Sequence, residues 1–271
     1  MSGARWAGEH VIVTGGSEGI GAAVAAAFAR RGARVSIIAR RPDPLRDTAK
    51  RLGADHRAAD VTDRAALAAA IAELEARNGG CGVLACCAGL TLPGLFTELG
   101  DDEFAEQTDA NYLGSVHAVR AVLPGMVERG KGHVLLLSST SAFLGIPGYS
   151  AYAPTKASIR QLGLCLRYET EPAGVSVTVL YPADTDTSGL VRENLRKPPE
   201  TKAITGTIKP MPAEKVAEAA VRGMERGRHH ITTDMLTTFL LRWANIPEDF
   251  MRPFFRRSIS RARQRAEKAT T

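Results

Sequence analysis

The stretch HVIVTGGSEGIG, from His10 to Gly21, decides the fold of this chain. Its first half is a run of apolar and β-branched residues typical of a buried strand, and its second half opens a helical pattern. Gly15, Gly19 and Gly21 are spaced GxxxGxG rather than GxGxxG. Glycines in such a turn let the backbone approach a pyrophosphate at the N–H groups of a helix N-terminus. The position between strand and helix favours a dinucleotide site over the alternative, a plain glycine turn.

The rest of the chain alternates short apolar runs with amphipathic helical stretches up to about Asp234. This alternation predicts right-handed βαβ units in an α/β fold, a doubly wound Rossmann-type parallel sheet of about seven strands with helices on both faces. Residues 1–233 form the predicted catalytic domain, and 234–271 a C-terminal helical appendage that is not an independent domain. Strands are predicted at His10–Thr14, Arg34–Ala39, His56–Asp60, Val83–Cys87, His133–Ser138, Val175–Leu180 and His229–Thr233, and helices at Ile20–Arg31, Pro44–Leu52, Asp63–Arg77, Asp102–Glu128, Ser150–Glu171 and Pro212–Arg226.

Composition excludes several classes of protein. The chain has 271 residues, 44% of them hydrophobic, which is enough for one large core. Its four cysteines lack CxxC spacing and histidine partners, so we expect buried thiols in a reducing compartment and no metal site. Seven basic residues and one acidic residue lie after position 250 and account for the net charge of +6, so the main domain is not expected to bind nucleic acid. With neither a signal peptide nor an unbroken apolar span, we expect a cytoplasmic protein.

The end of the second strand indicates which nicotinamide cofactor is used. A carboxylate there would bind the ribose of NAD, but this strand ends in Arg40 and Arg41, which can pair with the 2′-phosphate of NADP. The alternative is that these arginines are solvated surface charges, and Glu18 in the glycine turn adds a negative charge nearby. Asp60 and Val61, after the third strand, are placed to contact the adenine ring.

Four polar residues form a candidate catalytic set. Tyr152 and Lys156 are four residues apart, so they share one helix face; Ser139 ends the fifth strand and Asn111 lies in a long helix. Hydride reduction of a ketone leaves an alkoxide that needs a proton, which a Tyr hydroxyl can supply if its pKa of about 10 is lowered by a neighbouring ammonium. A serine hydroxyl can orient the carbonyl, and Asn111 can hold a water that relays the proton. Each residue alone could be structural; together, behind a cofactor turn, they indicate chemistry.

The sequence resembles the short-chain dehydrogenase/reductase family over nearly its whole length. Thr14–Gly21 matches the family's TGxxxGxG, and the catalytic set matches its Ser, YxxxK and Asn pattern. Two motifs depart from it: Cys86–Gly89 reads CCAG in place of NNAG, which removes a tethering amide, and Pro182-Ala183 replaces PG. The resemblance and the patterns above assign cofactor contacts to Gly15, Ser17, Glu18, Gly19, Ile20, Gly21, Arg40, Arg41, Asp60, Val61, Ala88, Gly89, Tyr152, Lys156, Pro182, Thr185 and Thr187.

The segment after the sixth strand, YPADTDTSG, points to a subgroup of this family. It is most similar to members that reduce the ketone of 3-oxosphinganine, a lipid-like substrate, to sphinganine with NADPH. Asp184 and Asp186 have two open interpretations: local helix capping, or pairing with the substrate's amine. Other readings of the chain are a reductase of a 3-oxoacyl thioester or hydroxysteroid, and a non-catalytic NADPH-binding sensor. The following residues, 189–204, are expected to be a mobile lid.

The last part of the chain is apolar and then basic. Met235, Leu236, Phe239, Leu240 and Trp243 fall on one helical face; beyond Pro247 a second patch of Phe250, Met251, Phe254 and Phe255 precedes the basic run. This pattern suits peripheral contact with an anionic membrane; the alternative is that it covers the core or a subunit interface. The resemblance to the family also implies a homo-oligomer formed through the two long helices.

Overall fold

The computed structural model of the protein describes residues 5–206 and 209–244. Its strands are β1 (His10–Thr14), β2 (Arg34–Ala39), β3 (Asp55–Ala58), β4 (Val83–Cys86), β5 (Gly132–Leu137), β6 (Val175–Tyr181), β7 (Thr185–Asp186), β8 (Met211–Pro212) and β9 (His230–Thr232). Its α-helices are α1 (Gly19–Ala29), α2 (Pro42–Leu52), α3 (Arg64–Asn78), α4 (Asp101–Thr108), α5 (Gly114–Glu128), α6 (Tyr152–Thr170), α7 (Ser188–Arg196), α8 (Pro199–Thr205) and α9 (Ala213–Glu225), and residues 235–244 are also helical.

Seven strands form one parallel sheet in the order β3-β2-β1-β4-β5-β6-β9. The apolar strands are buried because helices cover both faces: α1, α2 and α9 pack on one, and α3, α5 and α6 on the other. The chain reverses its direction of strand addition between β1 and β4, which opens a crevice at the carboxyl ends of these strands. The predicted doubly wound sheet is confirmed, with strand ends shifted by one or two residues.

The helix predicted over Asp102–Glu128 is interrupted. A single π-helical turn, Asp109–Leu113, separates α4 from α5 and contains Asn111. Such a turn holds one extra residue, and sequence periodicity does not reveal it because the flanking apolar pattern continues on both sides. The turn matters for the site because it changes the direction in which its buried side chains point.

The segment after β6 is more regular than a loop. It forms α7 and α8, and the short parallel pair β7–β8 joins Thr185 to Met211 in register. Helix α7 begins at a threonine cap and leaves Val191 and Leu195 exposed. The expected lid is therefore a pair of short helices beside the carboxyl end of the sheet, and its mobility stays a prediction.

The first part of the C-terminal segment packs on the domain. Thr237 is fully buried, with its hydroxyl 2.6 Å from that of Thr140, and Leu241 packs against the core. The predicted apolar face is largely exposed instead of buried: Met235 is 90% exposed and Trp243 63%. The predicted features at Pro247, Phe250, Met251, Phe254 and Phe255 and the basic run lie outside the described residues. Over residues 5–206 and 209–244, no helix combines the length and apolar character needed to cross a bilayer.

Candidate active site

A cavity of about 1270 Å³ lies at the carboxyl ends of the central strands. The glycine turn after β1 and the ends of β2 and β3 form one part of its wall, and Ser139, Tyr152 and Lys156 form another. Parallel sheets place their ligands at this edge, where the loops after neighbouring strands converge. The cavity therefore brings the predicted cofactor turn and the predicted catalytic residues into one site.

The glycine turn fits a dinucleotide. Gly15 has φ of +69°, and a side chain there would place its Cβ 2.6 Å from the backbone nitrogen of Ala88. At Gly21 a Cβ would lie 2.2 Å from the carbonyl oxygen of Gly15. Both positions therefore require glycine, because a side chain would collide with neighbouring backbone atoms. The close backbone packing places the first turn of α1 at the cavity wall. A pyrophosphate can approach the N–H groups of this turn, at Gly19 and Ile20, as the sequence predicts.

Charged groups surround the end of the cavity at β2 and β3. Asp60 accepts hydrogen bonds from the backbone N–H and hydroxyl of Thr62, at 3.0 and 2.9 Å, and its carboxylate lies 3.5 Å from a guanidinium nitrogen of Arg40. Burial alone would raise the pKa of Asp60, but these hydrogen bonds and the charge of Arg40 lower it overall. Arg41 pairs with Glu18 at 2.7 Å. Both arginines line the cavity and are more than half exposed, so they remain accessible to a phosphate.

Glu18 connects the glycine turn to α7. Besides Arg41, it accepts hydrogen bonds from the Ser188 hydroxyl at 2.7 Å and from the Arg192 guanidinium at 2.6 Å. Partial burial opposes ionisation, but these donors lower the pKa of Glu18 overall. The negative charge of Glu18 in the predicted cofactor turn is therefore neutralised by these donors. The same hydrogen bonds join α7 to the glycine turn across the cavity.

Tyr152 and Lys156 sit on the first turn of α6, as the spacing predicts. The Tyr152 hydroxyl is hydrogen-bonded to the side chains of Ser139 and Thr91. The Lys156 Nζ donates to the carbonyl of Leu137 at 3.1 Å and lies 5.6 Å from the centroid of the Tyr152 ring. Serine, tyrosine and lysine thus converge at one end of the cavity. Thr91 was missed because no motif marks it; it follows Gly89 by two residues.

The pKa of Tyr152 is raised overall in this structure, and the lowering expected from Lys156 stays a prediction. Burial raises the pKa of Tyr152 above its usual value of 10, and the negative charges of Glu193 and Asp184 act in the same direction, against the hydrogen bonds from Ser139 and Thr91. Burial also lowers the pKa of Lys156, to about 8. The physical reason is desolvation, which disfavours the charged form of both groups and which spacing along a helix does not report.

Asn111 holds the loop that follows β4. Its side-chain Nδ2 donates to the Leu90 carbonyl at 2.9 Å and to the Thr155 hydroxyl at 3.1 Å, and its Oδ1 accepts from the Leu90 N–H at 2.8 Å. Gly89 is needed beside it, since a Cβ there would lie 2.7 Å from this oxygen. The amide therefore aligns the cavity wall near Lys156; the expected water relay through Asn111 stays a prediction.

The CCAG segment is held to the neighbouring strand by a backbone hydrogen bond. The N–H of Cys87 donates to the Thr14 carbonyl at 3.1 Å, which joins the end of β4 to β1. The Cys86 thiol is fully buried in the core, where burial raises its pKa well above the usual value. Ala88 and Gly89 line the cavity, where their predicted contact with the cofactor stays a prediction. The substitution by cysteine thus leaves the loop in place.

The structure separates the two aspartates after β6. Asp184 lines the cavity, with its carboxylate 3.8 Å from the Nζ of Lys197, whereas Asp186 is exposed and is not part of the cavity wall. The residue that caps α7 is Thr187, whose hydroxyl accepts the N–H of Leu190 at 3.1 Å. The capping interpretation of the aspartates is therefore wrong in detail. Pro182, Thr185 and Thr187 line the cavity, and their contact with the cofactor stays a prediction.

A buried polar cluster beside Tyr152 was not foreseen. The Tyr149 hydroxyl donates to the carboxylate of Glu193, which lies 3.0 Å from the Nζ of Lys197. The centroids of the Tyr149 and Tyr152 rings are 5.5 Å apart, so the cluster adjoins the predicted catalytic residues. The i,i+4 spacing of Glu193 and Lys197 was a signal for an ion pair, but only the packing of α7 turns it into the cavity.

Comparisons with known proteins agree on one family. The family model for short chain dehydrogenase matches residues 9–198. The chain is 35% identical over 261 residues to a 3-ketodihydrosphingosine reductase of Dictyostelium discoideum, covering 88% of this chain and 78% of that protein. It is 37% identical to a 3-dehydrosphinganine reductase of Danio rerio, covering 81% and 69%. A solved short-chain dehydrogenase of Streptomyces avermitilis superposes with a TM-score of 0.76 at 28% identity, over 94% of this chain and 98% of that one.

Proposed function

The chain belongs to the short-chain dehydrogenase family, and we propose that it reduces the ketone of 3-ketodihydrosphingosine (3-oxosphinganine) to the alcohol sphinganine with NADPH. As a member of this family it is an oxidoreductase that acts on a ketone or the corresponding alcohol with a nicotinamide cofactor. The observation that carries the proposal is the convergence of Ser139, Tyr152 and Lys156 in one cavity with the glycine turn. The substrate is proposed because similar proteins named as reductases of this ketone cover most of the chain.

The residues of the cavity divide the reaction between them. The bound nicotinamide supplies the hydride that the ketone carbon receives. Tyr152 donates its proton to the ketone oxygen, so that the product is a neutral alcohol, and its raised pKa keeps the hydroxyl protonated until that step. Ser139 and Thr91, which bond the Tyr152 hydroxyl, orient it and the carbonyl. Lys156 faces the same end of the cavity and is placed to bind the ribose hydroxyls and to stabilise the phenolate that remains.

NADPH is proposed in preference to NADH because of the charges at the end of β2. Arg40 and Arg41 both reach the cavity beside Asp60, and no described residue of β2 places a carboxylate there. An Arg40→Ala, Arg41→Ala double variant is expected to raise KM for NADPH by about tenfold or more and to leave KM for NADH nearly unchanged, since each lost charge-assisted bond contributes about 1.5–3 kcal/mol. Equal changes for the two cofactors would refute the assignment.

A turnover assay tests the function directly. NADPH oxidation is followed with 3-oxosphinganine and with a 3-oxoacyl thioester, and each is repeated with NADH. We expect the highest kcat/KM for 3-oxosphinganine with NADPH. Faster turnover of the thioester would assign the chain to a different reductase of the same family, and absence of turnover with every ketone would support a non-catalytic cofactor-binding role.

We also propose that the C-terminal segment, residues 234–271, contacts an anionic membrane. Leu236 and Ile204 line the cavity and are each about half exposed, at 50% and 48%, so the cavity opens beside apolar side chains. Phe239 and Trp243 extend this surface, and the sequence after it is strongly basic. The intact protein should co-sediment with anionic vesicles at low salt and bind neutral vesicles less. A Phe239→Ser, Trp243→Ser variant should lose that binding; no binding by the intact protein would refute the proposal.

An oligomer formed through α5 and α6 is the remaining proposal from the family resemblance. Helix α6 carries the small exposed side chains Ala157 and Ser158, and Ala121 of α5 is partly exposed, which allows another helix to approach closely. Light scattering at micromolar concentration is expected to give the mass of a dimer or tetramer. A monomer at the same concentration would refute it.

A further inference from the structure

The wall of the cavity beside Tyr152 holds an ion cluster that the reduction itself does not use. The carboxylates of Glu193 and Asp184 each lie within ion-pair distance of the ammonium of Lys197. The side chain of Lys197 is only 2% exposed, and that of Glu193 14%. Both carboxylates line the cavity. A buried charge is costly unless it is paired, so a cluster of this kind needs a reason to persist.

The cluster holds two carboxyl groups and only one ammonium, and the Tyr149 hydroxyl adds a hydrogen bond but no charge. A cation that enters the cavity would complete the balance. Because the Tyr149 ring packs 5.5 Å from the Tyr152 ring, such a cation would lie next to the group that is being reduced.

We propose that Glu193 binds the ammonium group beside the ketone of the substrate and so selects an amino ketone over an unsubstituted ketone. The proposal rests on the proposed function, since 3-oxosphinganine carries its amine on the carbon next to the carbonyl. Lys197 and Tyr149 are positioning residues that hold the carboxylate of Glu193 in the cavity wall. Specificity of this kind follows when the wrong substrate brings no second cation to a cluster that has two carboxyl groups and one ammonium.

The geometry favours Glu193 over the two aspartates. Asp186 is exposed and outside the cavity wall. Asp184 is farther from Lys197, at 3.8 Å against 3.0 Å for Glu193, and burial raises its pKa, so it is the weaker anchor for a cation. Glu193 has the additional bond from Tyr149, which links it directly to the residue stacked on Tyr152.

Helix α7 is held firmly enough to position this carboxylate. The residue before Glu193, Arg192, pairs with Glu18 of the glycine turn at 2.6 Å, and Arg196 pairs with Glu103 of α4. The helix thus spans the cavity between two anchored points, with Glu193 turned inward between them. Binding groups on anchored elements keep their geometry better than groups on loops.

The test compares two substrates that differ only in the amine: 3-oxosphinganine and the same long-chain 3-oxo-1-alcohol without the amino group. For Glu193→Gln we expect kcat/KM for the amino ketone to fall by about 10- to 100-fold, the range for loss of a hydrogen bond to a charged group, mainly through KM. For the ketone without the amine we expect a change of less than about threefold. Glu193→Asp, which keeps the charge, should restore part of the loss.

A matched control and a binding measurement separate recognition from folding. Glu200→Gln makes the same change on α8, at an exposed position outside the cavity wall, and should leave both substrates unaffected. Calorimetric titration of sphinganine into the Glu193→Gln variant with NADP⁺ should show weaker binding by the same factor as the rise in KM. A parallel loss for both ketones would make Glu193 structural and overturn the inference. A wild-type protein that reduces only the ketone without the amine would instead refute the proposed function.

Discussion

Replacing Lys156 with methionine should stabilise the protein while it removes the reductase activity. Lys156 is 4% exposed, and burial lowers its pKa from 10.5 to about 8. At about 1.4 kcal/mol per pKa unit, keeping the ammonium charged inside the fold costs about 3 kcal/mol at pH 7. Methionine has a similar length and no charge, but it loses the hydrogen bond to Leu137, which offsets about 1 kcal/mol. We therefore expect a net gain of about 2 kcal/mol in the free energy of unfolding.

The pH dependence of this gain identifies its cause. Between the folded pKa of about 8 and the unfolded value of 10.5, the unfolded chain binds more protons at Lys156 than the folded one, so wild-type stability rises with pH in that window. Above the window Lys156 is neutral in both states and its burial cost disappears. The gain in the free energy of unfolding from Lys156→Met should consequently be largest below pH 8 and shrink toward pH 10.5.

Urea unfolding of the protein without added cofactor, at pH 7 and at pH 10, measures this difference. Lys215→Met on α9, where the lysine is exposed, is the matched control and should change stability by less than about 0.5 kcal/mol at either pH. An advantage of Lys156→Met that is absent at pH 7, or equal at the two pH values, would refute the assignment of the low pKa to burial. The kcat of the Lys156→Met variant should be lost at both pH 7 and pH 10.

Three further changes test the cavity. Tyr152→Phe should lower kcat by about 100- to 10,000-fold while NADPH binding, followed by fluorescence, is retained, because only the proton donor is lost. In Gly21→Ala the new Cβ would lie 2.2 Å from the Gly15 carbonyl oxygen, so the variant should lose NADPH binding and be destabilised by about 1–3 kcal/mol. Gly100→Ala is the control, since a Cβ there meets open space, and it should change neither NADPH binding nor stability. Glu18→Gln should speed hydrogen exchange in α7 by a few-fold, as expected for weakened surface ion pairs of about 0.2–1 kcal/mol each; unchanged exchange would show that the helix is held otherwise.

The sequence alone determined the features whose signal is local. The strand–glycine–helix start of the chain predicts the site of the cofactor turn, because backbone conformation at Gly15 and Gly21 depends on residues within a few positions. Alternating apolar periods predict a seven-stranded parallel sheet, whereas the strand order comes from the structure. The spacing of Tyr152 and Lys156 predicts their shared helix face, and the structure confirms it.

Only the tertiary structure decided the features that depend on long-range packing. The raised pKa of Tyr152 arises from burial and from Glu193, which is distant in sequence. The choice between Asp184 and Asp186 depends on which side chain faces the cavity once β7 pairs with β8. Residue type and spacing along the chain do not predict desolvation or contacts between segments that are distant in sequence. For that reason the glycine turn and the shared helix face of Tyr152 and Lys156 could be predicted from the sequence, and the charge cluster in the cavity wall could not.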